Sequence, residues 1–475
     1  MKIIPHGAAQ EVTGTCHEIQ VGKHRILLDC GLFQGSRRES AQKNATFVFD
    51  PKEIDAVILS HAHMDHVGRI PVLCKKGFKG PVYCTYATAD LADVMLQDGG
   101  YIQEKDEEYF CKHLNDVRMA CDGPLYTQEE AAKCKGTFVG RNYHEWFDVV
   151  PGIKAQFLDA GHIIGAAMVL LEIEEAPNHS RISGTGRPLR VGFSADLGRN
   201  MLPIIRDPEA MPPVEALICE STYGNRLHED IVTAKYELRD IVVKTAERGG
   251  KIIIPAFSLE RTQEIVYDLH LLWDVKEIPA IPIFIDSPLA TRVTEVFMKH
   301  SECYDREMYE NFLAREHNPF HFSLVTYTES AEESKALNDK PGPMVIMAGS
   351  GMCEAGRIRH HLKNTIEEPR NSIVAVGYMA EQTLGRRIID TDITDVKIFN
   401  KMYRKRAEMH YINAYSGHAD KNDLDAYVKK VEELQKLILV HGELKQMEPF
   451  AERVRKANKG IEVLTPKRGE EIIIV

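Results

Sequence analysis

The sequence predicts an α/β protein of more than one domain, and three observations carry that prediction. Its 475 residues exceed what a single domain of ~100–200 residues needs. The first part of the chain holds short runs rich in Ile, Leu and Val, each of strand length and broken by Gly or Asp. Between about 207 and 395 strands and helices then alternate in regular order, which is how a doubly wound parallel sheet with its own core reads.

Taken in order, HEIQVG, HRILLDCG and IDAVILSHAH read as strands of a covered sheet. Residues 84 to 112 read as helix, and TQEEAAKC reads as a second helix within a polar segment reaching about 143. Strand signal returns in KAQFLDA, AMVLLEIE, LRVGFSAD and EALICES. A helix over 232 to 248 leads to the strand KIIIPAF, and one over 259 to 273 leads to IPIFID. A helical stretch near 292 to 314 precedes the strands PMVIMAGSG and NSIVAVGY. From 396 the tail adds strands KIFNKMY, LILVHGE and EIIIV around a helix at 421 to 435.

Composition narrows the class. Hydrophobic residues make up 44% and charged residues 27%, as in soluble globular proteins rather than disordered or coiled-coil chains. Lys plus Arg total 59 against 70 Asp plus Glu, a net charge of −11, so a wholly basic nucleic-acid-coating protein is excluded and any anionic partner has to be held locally. Ten cysteines are scattered without a CxxC pair, the pattern of reduced thiols in a cytosolic protein. The start MKIIPHGAAQEVTG lacks a signal-peptide core, and no run approaches the ~18 apolar residues that span a bilayer. A cytoplasmic protein with no membrane contact is expected.

The chemistry concentrates where the strand AVILS runs into His61-Ala-His63-Met-Asp65-His66, three imidazoles and a carboxylate in six residues. Imidazole nitrogen and carboxylate oxygen suit zinc and similar first-row metals. Coming off a strand end, His61 and His63 point one way, and Asp65 with His66 can serve a second position. The rival reading is a polar loop that happens to hold histidines. Against it stand His162 in DAGHIIGAA, Asp196 in GFSADLGR and His441 in LILVHGE. Each follows an apolar run, where a sheet delivers side chains to a common edge. Singly, each reads more readily as a turn residue; with HAHMDH they complete a two-metal set.

HAHMDH, His162, Asp196 and His441 resemble the metallo-β-lactamase fold. ESTYGNR (220–226), PAFSLERTQE (255–264), DSPLA (286–290), GSGMCEAGR (349–357), GYMAEQTLGR (377–386), SGHAD (416–420) and LVHGE (439–443) make the chain look like the β-CASP branch, which holds RNA-processing nucleases similar to the mRNA 3′-end cleavage endonuclease. The resemblance implies an αββα sandwich in two pieces, 1–206 and 396–475, with a β-CASP parallel-sheet domain, 207–395, inserted between them. The stretch from about 100 to 145 has no assignment.

By the same resemblance, one metal is held by His61, His63 and His162 and the other by Asp65, His66 and His441, with Asp196 bridging. The expected cofactors are two zinc ions, with manganese or iron as alternatives. The family's first β-CASP motif falls on Glu220, the second on His418 and the third on His441. His418 is the expected proton donor to the leaving oxygen, Glu220 its orienter, and Asp65 belongs to the catalytic set. Asp29 in LLDCG matches the first lactamase motif and is expected to orient a ligand rather than to bind metal.

Substrate grip is expected from Ser258, Arg261, Ser350, Gly351 and Arg404. KIFNKMYRKR at 397–406 holds five Lys or Arg with Phe399 and Tyr403 interleaved, and GRIRHHLK adds Arg357, Arg359 and Lys363. For KMYRKR the rival is a solvated helix face. Gly349-Ser350-Gly351, opening into a helix, is expected to offer backbone N–H groups to a phosphate.

The function expected is metal-dependent RNA phosphodiester hydrolysis, endonucleolytic because no extra domain is evident after about 470 and no RNA-binding extension precedes the chain. RNA is the expected partner, and homodimerisation is left open. DNA cleavage, thioester or lactone hydrolysis, and a non-catalytic RNA-binding scaffold are the other classes. His441 at the third motif favours RNA over DNA, the β-CASP insert argues against thioester chemistry, and the filled ligand positions argue against a scaffold.

Overall fold

The computed structural model describes residues 1–474 apart from 36, 114–122, 175–186, 378 and 381. Tyr378 and Glu381 of the GYMAEQTLGR segment, and part of the unassigned stretch 100 to 145, therefore lie outside the described residues. By internal contacts the chain forms two units: Met1–Asn200 with Arg206–Leu227 and Gly417–Val475, and Met201–Ile205 with His228–Ser416.

The first unit is built on two seven-stranded mixed sheets. One contains β1 (Lys2–Gly7), β2 (Cys16–Val21), β3 (His24–Leu28), β4 (Ala56–Ile58), β5 (Val82–Thr85) and β6 (Phe138–Arg141), with β22 (Ile472–Ile473) beside β1. The other contains β7 (Phe147–Val150), β8 (Ile153–Asp159), β9 (Ala167–Ile173), β10 (Leu189–Phe193), β11 (Ala216–Glu220), β20 (Lys436–Val440) and β21 (Glu462–Leu464). Alternate side chains of both sheets, among them Ile19, Ile26, Ile58, Phe157, Val169, Val191, Ile218 and Ile438, form one core. The opposite face of the first sheet buries Leu27, Val57 and Val82 against Val67, Leu73, Leu96 and Ala131 of helices. On the far side of the second sheet, helix Leu444–Ala457 packs on β20 and β21. The layers are those of an αββα sandwich.

In the second unit β12 (Lys251–Pro255), β13 (Ile283–Ile285), β14 (Val325–Tyr327), β15 (Met344–Ala348), β16 (Ser372–Val376) and β19 (Glu408–Ile412) pair in the order β14-β13-β15-β12-β16-β19. All five pairings are parallel. Helices such as Ile231–Glu247 and Arg261–Asp274 supply the crossovers, so the doubly wound pattern read from the sequence is present.

The division differs from the expected limits of 207 and 395. β19 pairs with β16 across five residues, from Ser372↔Glu408 to Val376↔Ile412. Val396, Ile398 and Ala407 are buried in the second unit's core. The chain therefore returns to the first unit only after Ser416, immediately before His418. KIFNKMY is not one strand but a hairpin of β17 (Asp395–Ile398) and β18 (Lys401–Arg404). The basic run KMYRKR is accordingly a strand and its exit, not a helix face.

Candidate active site

Ligand-type side chains gather at the strand ends of the first unit. β4 ends at Ile58, Leu59 to His63 follow without regular structure, and a single helical turn, Met64–Val67, swings Asp65 and His66 away from His61 and His63. His162 follows β8, Asp196 follows β10 and His441 follows β20. Close backbone approaches fix these loops. A Cβ on Gly31 would lie 1.6 Å from the Asp65 carbonyl oxygen, and one on Gly198 1.5 Å from that of Gly161. Only glycine allows either contact. Asp29 and His441 themselves sit at φ 61° and 50°, in the left-handed region that non-glycine residues avoid.

The sequence-predicted ligands form two groups sharing one carboxylate. His63 Nδ1 lies 3.1 Å from His61 Nε2 and 3.2 Å from His162 Nε2. Asp196 Oδ2 is 3.5 Å and 3.6 Å from those two Nε2 atoms. In the second group His66 Nε2 and His441 Nε2 are 3.3 Å apart, and Asp65 Oδ2 is 3.5 Å from His441 Nε2. Here Asp196 presents its other oxygen, Oδ1, 3.2 Å from His66 and 3.7 Å from His441.

Four of the five rings have their outer nitrogen occupied. His61 Nδ1 faces Ser60 Oγ at 3.0 Å, and His66 Nδ1 faces Asp29 Oδ2 at 2.7 Å. His162 Nδ1 donates to the Gly417 carbonyl at 2.9 Å, and His441 Nδ1 faces Thr222 Oγ1 at 2.9 Å. An imidazole donating through Nδ1 turns the lone pair of Nε2 inward. Asp29, fully buried, also accepts from the Ser60 amide and hydroxyl.

Lone pairs converging on one another repel unless a cation sits among them, so this donor set fits a metal. Burial pushes His63 down to about 4 and holds His61 and His162 well below the ordinary imidazole value, keeping them neutral. Burial opposes ionisation of Asp196, yet the facing His441 and His66 hold it well below the carboxylate range. Its Oδ1 is buried without a hydrogen-bond partner. Edge lengths of 3.1–3.3 Å between nitrogens match the ~3.3 Å that Zn–N bonds of ~2.0–2.1 Å give in a tetrahedron.

His418 stands beside these groups. Its Nδ1 is 3.3 Å from Glu220 Oε1 and 4.0 Å from Asp196 Oδ2, and its ring lies 4.6 Å from that of His162. Glu220 is fully buried and also accepts from the Leu197 amide. Burial works against a charged His418, but Glu220, joined by Asp196 and Asp65, pushes the imidazole up to about 9.

Residues expected to grip substrate belong mostly to the second unit and fare unevenly. Ser258 Oγ is 3.1 Å from Ser287 Oγ, and both line the close surroundings of Gly349, at the ends of β12, β13 and β15. Gly351 packs against Phe257. The next helix begins only at Ile358, so Gly349-Ser350-Gly351 is a loop turned back on Ala355 and not a helix N-terminus. Arg261 is buried, ion-paired to Glu264 and stacked over Tyr415, which leaves it little capacity for a phosphate. Arg404 is exposed on β18. Its neighbour Lys405 instead donates to the carbonyls of Ile388 and Asp390 at 2.9 and 2.6 Å, capping the helix Leu384–Ile389. Ser60, Thr222 and the Gly417 carbonyl escaped the sequence reading. A serine, threonine or glycine in a turn carries no signal that its partner is an imidazole.

Family comparisons agree with this geometry. A model of the metallo-β-lactamase superfamily matches residues 10–217, the Beta-Casp domain matches 262–388, and a Zn-dependent metallo-hydrolase RNA specificity domain matches 402–466. Ribonuclease TTHA0252 of Thermus thermophilus is 38% identical over 472 residues, covering 99% of this chain and 100% of that protein. The chain belongs to the β-CASP family of metallo-β-lactamase-fold hydrolases. The RNase J-like protein of Methanocaldococcus jannaschii is 31% identical, with 98% of this chain and 97% of that protein covered. Transcription termination factor FttA of Methanosarcina mazei is 30% identical, with 97% of this chain and 69% of that protein covered. A crystal structure of a protein of unknown function from Enterococcus faecalis shares the fold at a TM-score of 0.56, with 15% identity and 99% of both chains covered. As a β-CASP protein, the chain is a zinc-dependent hydrolase. No helix among the described residues is long and apolar enough to cross a membrane.

Proposed function

We propose that this chain is a ribonuclease that hydrolyses internal phosphodiester bonds of RNA with two zinc ions. The observation that carries the proposal is the pair of ligand groups sharing Asp196, with the His418–Glu220 pair alongside. The relative named as a ribonuclease supports RNA as the substrate. His61, His63 and His162 would hold one ion, Asp65, His66 and His441 the other, and Asp196 both. Bound there, the ions would activate water and neutralise charge developing on the phosphate.

This chain's own residues do the rest. Ser60, Asp29, Gly417 and Thr222 keep four imidazoles in one tautomer and orientation. Glu220 holds the Nδ1 side of His418, leaving Nε2 as the nitrogen that can pass a proton to the departing oxygen. In the second unit, the hydroxyls of Ser258 and Ser287, 3.1 Å apart, and the exposed Arg404 are groups suited to RNA oxygens. The described cysteines are all free thiols, which supports a reducing cytoplasmic setting.

RNA labelled at its end or internally, incubated with and without chelator, tests the whole reading. Internal fragments that vanish with chelator are expected. Release of mononucleotides from one end would overturn the endonucleolytic mode, and cleavage indifferent to chelator would overturn the metal mechanism.

Elemental analysis of protein purified without chelator should give close to two zinc ions per chain. Fewer than one bound ion of any metal would count against the two-ion site. Asp29→Asn should weaken binding at the His66 position, since loss of such an orienting carboxylate costs ~10–100-fold in metal affinity or activity. Competition with a chromogenic chelator measures this, and unchanged affinity would reduce Asp29 to a structural turn residue.

A further inference from the structure

Hairpin β17–β18 closes through Phe399 and Asn400, both at positive φ, 47° and 67°. A two-residue turn of this kind normally uses Asn-Gly or a similar pair, because a bulky side chain is strained there. Phe399 does not repay the strain by burial, being 40% exposed. Val396, Ile398 and Tyr403 already turn inward to the core. The turn thus holds an aromatic ring at the surface at a conformational cost, the kind of outlier that points to function.

The surroundings of that ring are cationic. The Arg359 guanidinium lies 4.3 Å from the ring centroid and the Lys363 ammonium 5.7 Å, while the His360 ring is 4.6 Å away. Arg359 and Lys363 project from the helix Ile358–Thr365. Lys397, Lys401, Met402 and Arg404 are exposed on the hairpin. Of the acids close in sequence, Glu354 accepts from the Leu384 amide, Glu367 from the Arg404 amide and Asp395 from the Thr394 hydroxyl. Burial, followed by the charges of Lys363, His361 and Arg359, holds His360 below its usual value. In a chain of net charge −11, such a patch selects an anion.

We propose that Phe399, His360, Arg359 and Lys363 form a platform for single-stranded RNA, with a base stacked on the aromatic ring and adjoining phosphates on the two cations. The inference rests on the ribonuclease reading for its choice of RNA, and it adds a binding surface remote in sequence from every predicted metal ligand except His441. Aromatic stacking with flanking Lys or Arg is the usual chemistry of sequence-tolerant single-strand binding.

The test uses the metal-loaded full chain, a 20-nucleotide single-stranded oligoribonucleotide and the small diester bis-(p-nitrophenyl) phosphate. Phe399→Ala should raise KM for the oligonucleotide ~5–150-fold, the equivalent of one lost stacking contact. Turnover of the small diester should be unchanged, which also verifies folding. Phe399→Trp should keep the affinity and show fluorescence quenching on titration, beyond that of the two native tryptophans. Adding Arg359→Ala and Lys363→Ala to it should reduce the log–log salt slope by about 0.7 per lost phosphate contact.

An unchanged KM with no quenching overturns the platform even if RNA cleavage is intact. If wild-type protein hydrolyses the small diester but not RNA, the ribonuclease reading fails. Quenching then decides the platform separately, its presence upholding single-strand binding and its absence overturning it.

Discussion

Asp196→Ala is expected to reduce RNA cleavage by about 10³-fold or more and to lower the metal content of the protein. The two oxygens of this one carboxylate face different ligand groups, Oδ2 toward His61 and His162, Oδ1 toward His66 and His441. Among the described residues no other carboxylate lies within 4 Å of imidazole nitrogens of both groups, so no neighbour can take over. Removing it leaves five imidazoles around two positions with Asp65 as the sole remaining carboxylate ligand. The magnitude follows from the several kcal/mol of transition-state charge stabilisation a metal supplies, at ~1.4 kcal/mol per tenfold. Asp196 lies in a loop between strands and its loss opens no apolar cavity, so circular dichroism should stay native. Cleavage near the wild-type rate with two ions still bound would refute the bridging role.

His418→Ala is expected to behave differently: both ions stay bound while turnover falls ~10²–10⁴-fold, the usual worth of a general acid. His418 holds its Nδ1 3.3 Å from Glu220 but 4.0 Å from Asp196, farther than the facing nitrogens of His61, His66, His162 and His441. It also keeps 20% of its side chain exposed, where the ligand His61 has none. Bis-(p-nitrophenyl) phosphate has a leaving group that needs little protonation, so its hydrolysis should fall much less than that of RNA. Equal losses on both substrates, or loss of an ion, would make His418 a binding residue or a ligand.

Much of this site was legible because each ligand closes an apolar run, and a sheet brings such run ends to one edge. That rule singled out HAHMDH, His162, Asp196 and His441 as candidates, and the resemblance to the β-CASP branch divided them into two proposed ligand sets. What escaped notice has identifiable causes. β1 went unread because Pro5 interrupts KIIPHG. The structure tolerates it at a register shift between Pro5 and Gly7. Helix Leu444–Ala457 is masked by Pro449 in its interior. The KIFNKMY turn was missed because Phe-Asn lacks the glycine that normally announces a hairpin. The limit of the second unit was set too early because β19 pairs with β16, a partner that no local pattern around 408 to 412 reveals.

The parallel pairing of β11 with β20, in register from Ala216↔Lys436 to Glu220↔Val440, joins segments 436 − 216 = 220 residues apart. On a ribosome adding ~5–20 residues per second, β11 waits roughly 10–40 s for its neighbour. In that interval one edge of its sheet is bare, and His61, His63, His162 and Asp196 are already made, while His418 and His441 are not. A nascent chain can therefore assemble the first ligand group early but cannot assemble the second. On the two-ion reading proposed above, the second ligand group and His418 are complete only when synthesis has passed residue 441, so the two-ion centre is finished only near the end of the chain.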